Sequence, residues 1–214
     1  MRNNFPYRLY LVISENSCLG KNFIDVAEQA IEGGVDIIQL REKDIDSAQF
    51  LAKSLRLQDT LSKHGIPLII NDNLEVAMQS SAFGIHVGNS DISPLQIRST
   101  WKDCHSLGYS IEYPEQLENE NTKVSDCLGI SPVFRTATKK NTVTEWGIKG
   151  IENLRKMTNK PLIAIGNMNE ENAYEVIKAG ADCIAVVSAI CNAGNPARAA
   201  GKIRNQIEKA LLFR

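Results

Sequence analysis

The chain has 214 residues, 43% of them apolar, a size that suits one large domain or two small ones and fills a substantial core. Its 24 basic and 25 acidic residues leave a formal net charge of -1, so no overall field favours nucleic acid or a membrane surface. The five scattered cysteines form no C-x-x-C pair, which predicts a reducing, cytoplasmic setting, and no segment is long enough to span a membrane.

Short apolar segments alternate with amphipathic, helix-length segments, and no Pro/Gly/Ser-rich linker divides the chain. The predicted strands lie at 8–14, 35–40, 67–72, 83–88, 105–111, 126–134, 160–166 and 182–190. The predicted helices lie at 22–34, 46–65, 74–81, 94–99, 114–120, 148–158, 169–181 and 195–212. Ser93 is the predicted cap of the fourth helix, with Pro94 at its first helical position. This alternation predicts βαβ units and a parallel sheet. Eight units favour a single-domain (β/α)₈ TIM barrel over residues 1–214, with a doubly wound open sheet as the alternative.

Polar residues concentrate at the carboxyl ends of the predicted strands, where the active site of a (β/α)₈ barrel lies. The opposite strand ends carry mostly glycine, proline and helix C-caps, so function is predicted at one rim. The polar rim residues are Gln39, Arg41, Glu42, Lys43, Asn71, Asp72, His86, Asp91, Ser110, Thr136, Thr138, Lys139, Asn167 and Ser188.

Two cations follow the second strand. In extended backbone Gln39, Arg41 and Lys43 point to the same side and can converge on one ligand. An arginine fork and a lysine point charge suit phosphate oxygens. The alternative is a solvated loop, since "REKD" balances its own charge.

Asp72 and Asp91 are the candidate metal ligands. One or two carboxylates, completed by water and substrate phosphate, are the usual way to hold Mg²⁺. Taken singly, Asp72 also fits a helix cap and Asp91 a turn residue. Their shared rim favours the metal site.

The loop after the sixth strand carries Thr136, Thr138 and Lys139. In such barrels the loops after strands seven and eight often form a phosphate site, to which Ser188 would belong. Two anion sites on one rim imply two phosphorylated substrates. His86 could face this rim, but a packed strand histidine explains it equally well. No nucleophile–base–orienter set is visible.

Seven motifs, in this order, make the chain similar to the thiamine-phosphate synthase (thiamine-phosphate pyrophosphorylase) family. They are "QLREKD", "IINDN", "GIHVGNSD", "GYS", "GISPVFRTATK", "IGNM" and "AGADCIAVVSAI". The resemblance spans about residues 8–200. It implies a (β/α)₈ barrel, Mg²⁺ and a homodimer. It also implies coupling of 4-amino-2-methyl-5-hydroxymethylpyrimidine diphosphate with 4-methyl-5-(2-phosphoethyl)thiazole to give thiamine phosphate and pyrophosphate.

The resemblance also assigns residues to the two substrates and the metal. Asp72 and Asp91 correspond to the metal ligands, and Arg41, Lys43, Lys139 and Ser110 to the catalytic set. The pyrimidine-diphosphate contacts are Gln39, Leu40, Arg41, Glu42, Lys43, Asn71, Ser110 and Lys139. The thiazole-phosphate contacts are Thr136, Ala137, Thr138, Asn167, Val187 and Ser188.

Two positions depart from the family pattern. Asn167 stands where the family usually has glycine, and Ala137 stands where proline is common. Asparagine tolerates the left-handed conformation better than most residues, so a phosphate site at Asn167 is expected to survive in narrowed form. The alternatives are a thiazole tautomerase-like paralogue, another phosphate-binding barrel, and a non-catalytic barrel that binds a phosphorylated ligand.

Overall fold

Eight parallel strands close into a barrel in the computed structural model, which describes residues 5–136 and 144–213. Each strand pairs with the next along the chain, and β1 pairs with β8 to complete the ring. The strands are β1 (Leu9–Ile13), β2 (Ile37–Leu40), β3 (Leu68–Asn71), β4 (Gly84–Val87), β5 (Ser106–Ile111), β6 (Cys127–Ile130), β7 (Leu162–Ile165) and β8 (Cys183–Val186). Closure confirms the predicted (β/α)₈ class and excludes the open sheet.

Helices cover the outside of the barrel. They are α1 (Phe23–Glu32), α2 (Ser47–His64), α3 (Leu74–Gln79), α4 (Pro94–Thr100), α5 (Glu120–Val124), α6 (Gly147–Met157), α7 (Ala173–Lys178), α8 (Ser188–Cys191) and α9 (Pro196–Leu211), with 3₁₀ turns at Asn16–Cys18 and Pro114–Glu118. Several of them have a capping residue whose side chain accepts a hydrogen bond from a main-chain N–H of the first turn. Ser93, before Pro94, is such a cap, as the sequence predicts. Of the helices described, none is long and apolar enough to cross a membrane.

All eight strands are shorter than their predicted ranges, and two of them end four residues early. β6 ends at Ile130 rather than at residue 134, because Pro132 has no N–H to donate to a neighbouring strand. β8 ends at Val186 rather than at residue 190, and the chain turns into α8, which buries Ile190 and Cys191. Apolar character alone could not separate this short buried helix from a strand.

The strands are buried on both faces, as their continuous apolar sequences indicate. Alternate residues point into the barrel, where Tyr10, Val12, Ile37, Ile69, Cys127, Ile163, Cys183 and Ala185 form a packed interior. The other residues pack against the helices in a larger core. Burial raises the pKa of the Cys127 thiol to about 12, so this cysteine is a small hydrophobic residue rather than a nucleophile.

Carboxylates fasten the amino-terminal rim of the barrel at three places. Each comes just before a strand, accepts a main-chain N–H from the strand before it and pairs with an arginine from a helix; they are Asp36, Asp126 and Asp182. At Asp182 the acceptor Oδ2 lies 3.0 Å from the nitrogen of Leu162 and 2.7 Å from Nη1 of Arg155. These contacts stabilise the rim opposite the predicted site.

Replacing Asp182 with alanine is expected to lower the free energy of unfolding by about 3 kcal/mol, because Leu162 loses an acceptor and Arg155 its carboxylate. In a chain of this size that corresponds to a fall in Tm of roughly 6–12 °C. Asp59→Ala is the matched control, since the side chain of Asp59 is 72% exposed and pairs with Lys63 at the surface. Equal effects of the two substitutions in thermal denaturation would contradict the role of Asp182.

Candidate active site

A cavity of about 570 Å³ opens at the carboxyl ends of the strands, with its floor on the packed barrel interior. It brings together most of the residues that the sequence singles out. Those that line it are Gln39, Arg41, Lys43, Asn71, Asp72, His86, Asp91, Ser110, Thr136, Asn167, Val187 and Ser188. The predicted residues Ala137, Thr138 and Lys139 lie outside the described part of the chain.

The end of β2 supplies one wall of the cavity. Gln39 is buried and donates a hydrogen bond to the hydroxyl of Tyr10 at 2.9 Å. The main-chain nitrogen of Arg41 bonds to the carbonyl of Ile13 at 2.9 Å and so extends the pairing with β1. Arg41 and Lys43 then follow Gln39 into the cavity, as the two-residue period of extended backbone predicts.

Leu40 and Glu42 have the opposite parity and are not among the lining residues. Leu40 is fully buried in the layer between barrel and helices. Glu42 is also buried, and its carboxylate accepts a hydrogen bond from the nitrogen of Glu15 at 2.9 Å. Their side chains therefore face away from the space in which a substrate would lie.

Asp72 and Asp91 meet across the ends of β3 and β4. Asp72 has a left-handed backbone (φ 63°), and its nitrogen bonds to the carbonyl of His86 at 2.9 Å. Lys43 and Asn71 both donate to Oδ2 of Asp72. The Asp91 carboxylate is fixed by the nitrogen of Gly88 at 2.8 Å.

Electrostatics at this pair favour a bound cation. Burial raises the pKa of the Asp72 carboxyl above its ordinary value; Lys43 opposes that rise, and the neighbouring Asp91 adds to it. Two acidic groups that share a partly buried position repel each other until positive charge separates them. Lys43 supplies some of that charge, and a divalent cation would supply more.

The donor set fits Mg²⁺ rather than a metal held by many side chains. Within residues 5–136 and 144–213, no group of three or more His, Cys, Asp and Glu residues is placed to hold a metal. Two carboxylates with room for water and substrate oxygens are a typical Mg²⁺ arrangement.

His86 and Ser110 form a contact across β4 and β5 that the sequence left undecided. The Nε2 atom of His86 lies 2.8 Å from the Ser110 hydroxyl. A Cβ atom at Gly108 would lie 2.3 Å from His86 Nδ1, and one at Gly129 would lie 2.9 Å from Cε1. These two strand glycines therefore make room for the imidazole ring.

The far wall is formed by the ends of β6, β7 and β8. Gly166 has a φ of 112°, and a Cβ there would come within 2.6 Å of the Pro132 Cβ. Asn167 follows with a left-handed φ of 54°, the conformation expected where the family has glycine. Thr136, Asn167 and Ser188 share this side of the cavity.

Polar residues of the first loop were missed by sequence reasoning. Ser14 and Ser17 line the cavity after β1 and bond to each other's main chain, with Ser14 N to Ser17 Oγ at 2.9 Å. Nothing in "SENSC" distinguishes a rim loop from an ordinary turn. Asn89, Ser90 and Glu112 also line the cavity.

Three comparisons with known proteins point to the same family. The family profile described as "Thiamine monophosphate synthase" matches residues 9–190. A thiamine-phosphate synthase of Albidiferax ferrireducens is 43% identical over 201 residues, which covers 94% of this chain and 92% of that one. One from Leptospira biflexa is 41% identical over 203 residues, covering 92% and 96%. A solved structure of thiamine phosphate pyrophosphorylase from Pyrococcus furiosus has a TM-score of 0.86 at 26% identity, covering 98% of each chain.

Asp72→Asn is expected to leave Tm unchanged, or raise it by up to about 4 °C, near neutral pH without divalent cations. The raised pKa of Asp72 means that the folded state binds this proton more tightly than the unfolded chain does, so the ionised carboxylate opposes folding. The difference in Tm between Asp72→Asn and the unmodified protein should disappear as pH falls through the raised pKa of Asp72. Asp44→Asn is the control, because Asp44 is exposed and directly follows Lys43 in the loop after β2. A clear fall in Tm for Asp72→Asn alone would contradict this electrostatic interpretation.

Proposed function

The chain belongs to the thiamine monophosphate synthase family, and from that membership we propose that it couples the pyrimidine diphosphate to the thiazole phosphate, forming thiamine phosphate and releasing pyrophosphate. It is a transferase of thiamine biosynthesis that acts on small molecules. One observation carries the proposal: a single cavity holds Arg41, Lys43 and two acidic residues on one wall, and Asn167 with its polar neighbours on the other.

The wall formed by β2, β3 and β5 suits the pyrimidine diphosphate. Arg41 can hold phosphate oxygens with two parallel N–H groups, and Lys43 adds a point charge beside it. Gln39, Asn71 and Ser110 offer neutral hydrogen-bonding groups below the cations. Lys139 is proposed to join this set on the strength of the resemblance alone.

Asp72 and Asp91 would hold Mg²⁺, with water and diphosphate oxygens as its remaining ligands. When bound, the ion would neutralise negative charge on the departing pyrophosphate. Lys43 also contacts Asp72, so its ammonium group and a bound divalent cation would together more than offset the two carboxylates. An anionic diphosphate can then enter without meeting two unshielded carboxylates.

The wall formed by β6, β7 and β8 suits the thiazole phosphate. The close packing of Gly166 against Pro132 and the left-handed backbone of Asn167 shape this side of the cavity. Thr136 and Ser188 offer hydroxyl groups there, and Val187 an apolar surface. Ala137 and Thr138 complete the proposed contacts by resemblance.

The chemistry requires no protein nucleophile. The bond between the pyrimidine methylene carbon and the diphosphate oxygen breaks, and its electron pair leaves with pyrophosphate. The thiazole nitrogen then forms the new C–N bond with its own lone pair and becomes a thiazolium cation, so no proton has to move. Arg41 and Lys43 stabilise the charge that develops on the leaving group, and the two anchored phosphates align the rings.

The structural features favour this reaction over the alternatives. The two cations and two acidic residues on one wall suit a diphosphate with its metal, which a thiazole tautomerase-like paralogue or a passive binding barrel does not need. A Schiff-base aldolase would require a lysine inside a strand, and Lys43 lies beyond the end of β2. Three further expectations are part of the proposal: a single domain, a homodimer and a cytoplasmic location. The five unpaired cysteines support the last of these.

A coupling assay with both substrates tests the function directly. Pyrophosphate and thiamine phosphate are expected to appear in equal amounts, only when both substrates are present, and with a requirement for Mg²⁺. Failure of the purified protein to form thiamine phosphate under these conditions would refute the proposal. Pyrophosphate release without the thiazole substrate would indicate hydrolysis instead of coupling.

Arg41→Ala is expected to lower kcat/KM for the pyrimidine diphosphate at least about 100-fold, because a cation that faces the leaving group is lost. Arg56→Ala, which removes an exposed arginine on α2 outside the barrel, is the matched control and should retain activity. Steady-state kinetics with the thiazole phosphate saturating measures both. Near-normal activity of Arg41→Ala would remove Arg41 from the site.

Asn167→Gly is expected to lower KM for the thiazole phosphate by a few-fold, because glycine adopts a φ of 54° without strain and opens the narrowed wall. KM for the pyrimidine diphosphate should not change. Ser81→Gly is the control: Ser81 also has a positive φ, of 51°, but lies near the opposite rim. An unchanged KM for the thiazole phosphate would mean that Asn167 does not narrow this wall.

A further inference from the structure

The buried carboxylate of Glu42 joins the loops that follow the first two strands. Glu42 is 8% exposed, and its Oε1 atom accepts hydrogen bonds from the nitrogen of Glu15 at 2.9 Å and from Nζ of Lys53 at 3.3 Å. Lys53 lies on α2, outside the barrel. A buried carboxylate is costly unless it is paired and hydrogen-bonded, and here both conditions are met.

Lys53 completes a three-residue network with Glu15. Its Nζ lies 2.7 Å from Oε2 of Glu15, so one ammonium group contacts two carboxylates that belong to different loops. Burial lowers the pKa of Lys53, but the two carboxylates raise it by more, and the ammonium stays charged. The β1 loop, the β2 loop and α2 are therefore held together by one cation.

This network faces away from the cavity, while its neighbours in sequence face into it. Arg41 and Lys43 flank Glu42 and line the cavity. On the other loop Ser14 directly precedes Glu15, and it lines the cavity together with Ser17. Fixing Glu42 on the outer side therefore fixes the direction of Arg41 and Lys43, its neighbours in extended backbone.

We propose that Glu42 and Lys53 are positioning residues for the diphosphate subsite, acting through Arg41 and Lys43 rather than touching substrate. The proposal rests on the proposed function and revises the interpretation of Glu42 as a substrate contact. A carboxylate facing the diphosphate would repel it. Turned outward onto Lys53, the same carboxylate orients two cations without weakening them.

Four variants test this role: Glu42→Gln, Lys53→Met, Lys53→Arg and the double variant Glu42→Gln/Lys53→Met. The first two are expected to raise KM for the pyrimidine diphosphate about tenfold, as is typical when a partner that orients a ligand-binding group is lost. KM for the thiazole phosphate should stay within about twofold. Lys53→Arg keeps the charge and should restore near-normal kinetics.

The double variant separates positioning from general damage. Lys53→Met leaves the Glu42 charge unpaired beside Arg41 and Lys43, so adding Glu42→Gln should lower KM for the pyrimidine diphosphate rather than raise it further. Lys63→Met is the matched control, because Lys63 lies on the same helix and pairs only with Asp59 among the described ion pairs. It should change neither KM.

If Glu42→Gln and Lys53→Met lower Tm but leave KM for the pyrimidine diphosphate unchanged, the proposal is overturned, since the network would then be purely structural. An equal rise in both KM values would overturn it as well. Calorimetric titration with pyrophosphate and Mg²⁺ gives a readout that does not depend on turnover, and Glu42→Gln should weaken binding about tenfold. Absence of coupling by the unmodified protein would refute the proposed function, while the binding comparison would still decide the role of Glu42.

Discussion

Closure of eight parallel strands brings the carboxyl end of every strand to the same mouth of the barrel. Residues far apart in sequence, such as Arg41, Asp91 and Ser188, thereby line one cavity. The packed interior below them forms the floor of the site. Carboxylates fasten the strands at the opposite rim, away from this cavity. The fold thus separates the residues that stabilise it from those proposed to bind substrate.

Charge balance within the mouth depends on this convergence. The chain is almost neutral overall, so its anion sites come from local arrangements and not from a general field. Lys43 contacts Asp72 from a neighbouring loop. Asp91 repels the Asp72 carboxylate and raises its pKa, so further positive charge would stabilise the pair. Glu42 lies between the two cations in sequence, yet its carboxylate turns outward to Lys53. Asp72 and Asp91 are therefore placed where a metal can use them, and Glu42 is placed where its carboxylate would not meet the diphosphate.

Much of this organisation could be predicted from sequence because it follows backbone period and strand order. Apolar segments predicted the positions of the strands. The two-residue spacing of Gln39, Arg41 and Lys43 predicted that their side chains point to the same side. The same spacing predicts that Leu40 and Glu42 point away from the cavity. The family motif covers all of residues 39–43 and therefore does not distinguish the residues that face the cavity from those that do not. Sequence could not reveal the contact of His86 with Ser110, because it depends on the space left by glycines on two other strands.

The most direct test of this account is a crystal structure of the protein with thiamine phosphate, pyrophosphate and Mg²⁺. The account predicts pyrophosphate against Arg41 and Lys43, the metal between Asp72 and Asp91, and the phosphate of thiamine phosphate on the wall that carries Asn167. Pyrophosphate bound elsewhere, or a metal that contacts neither aspartate, would contradict it.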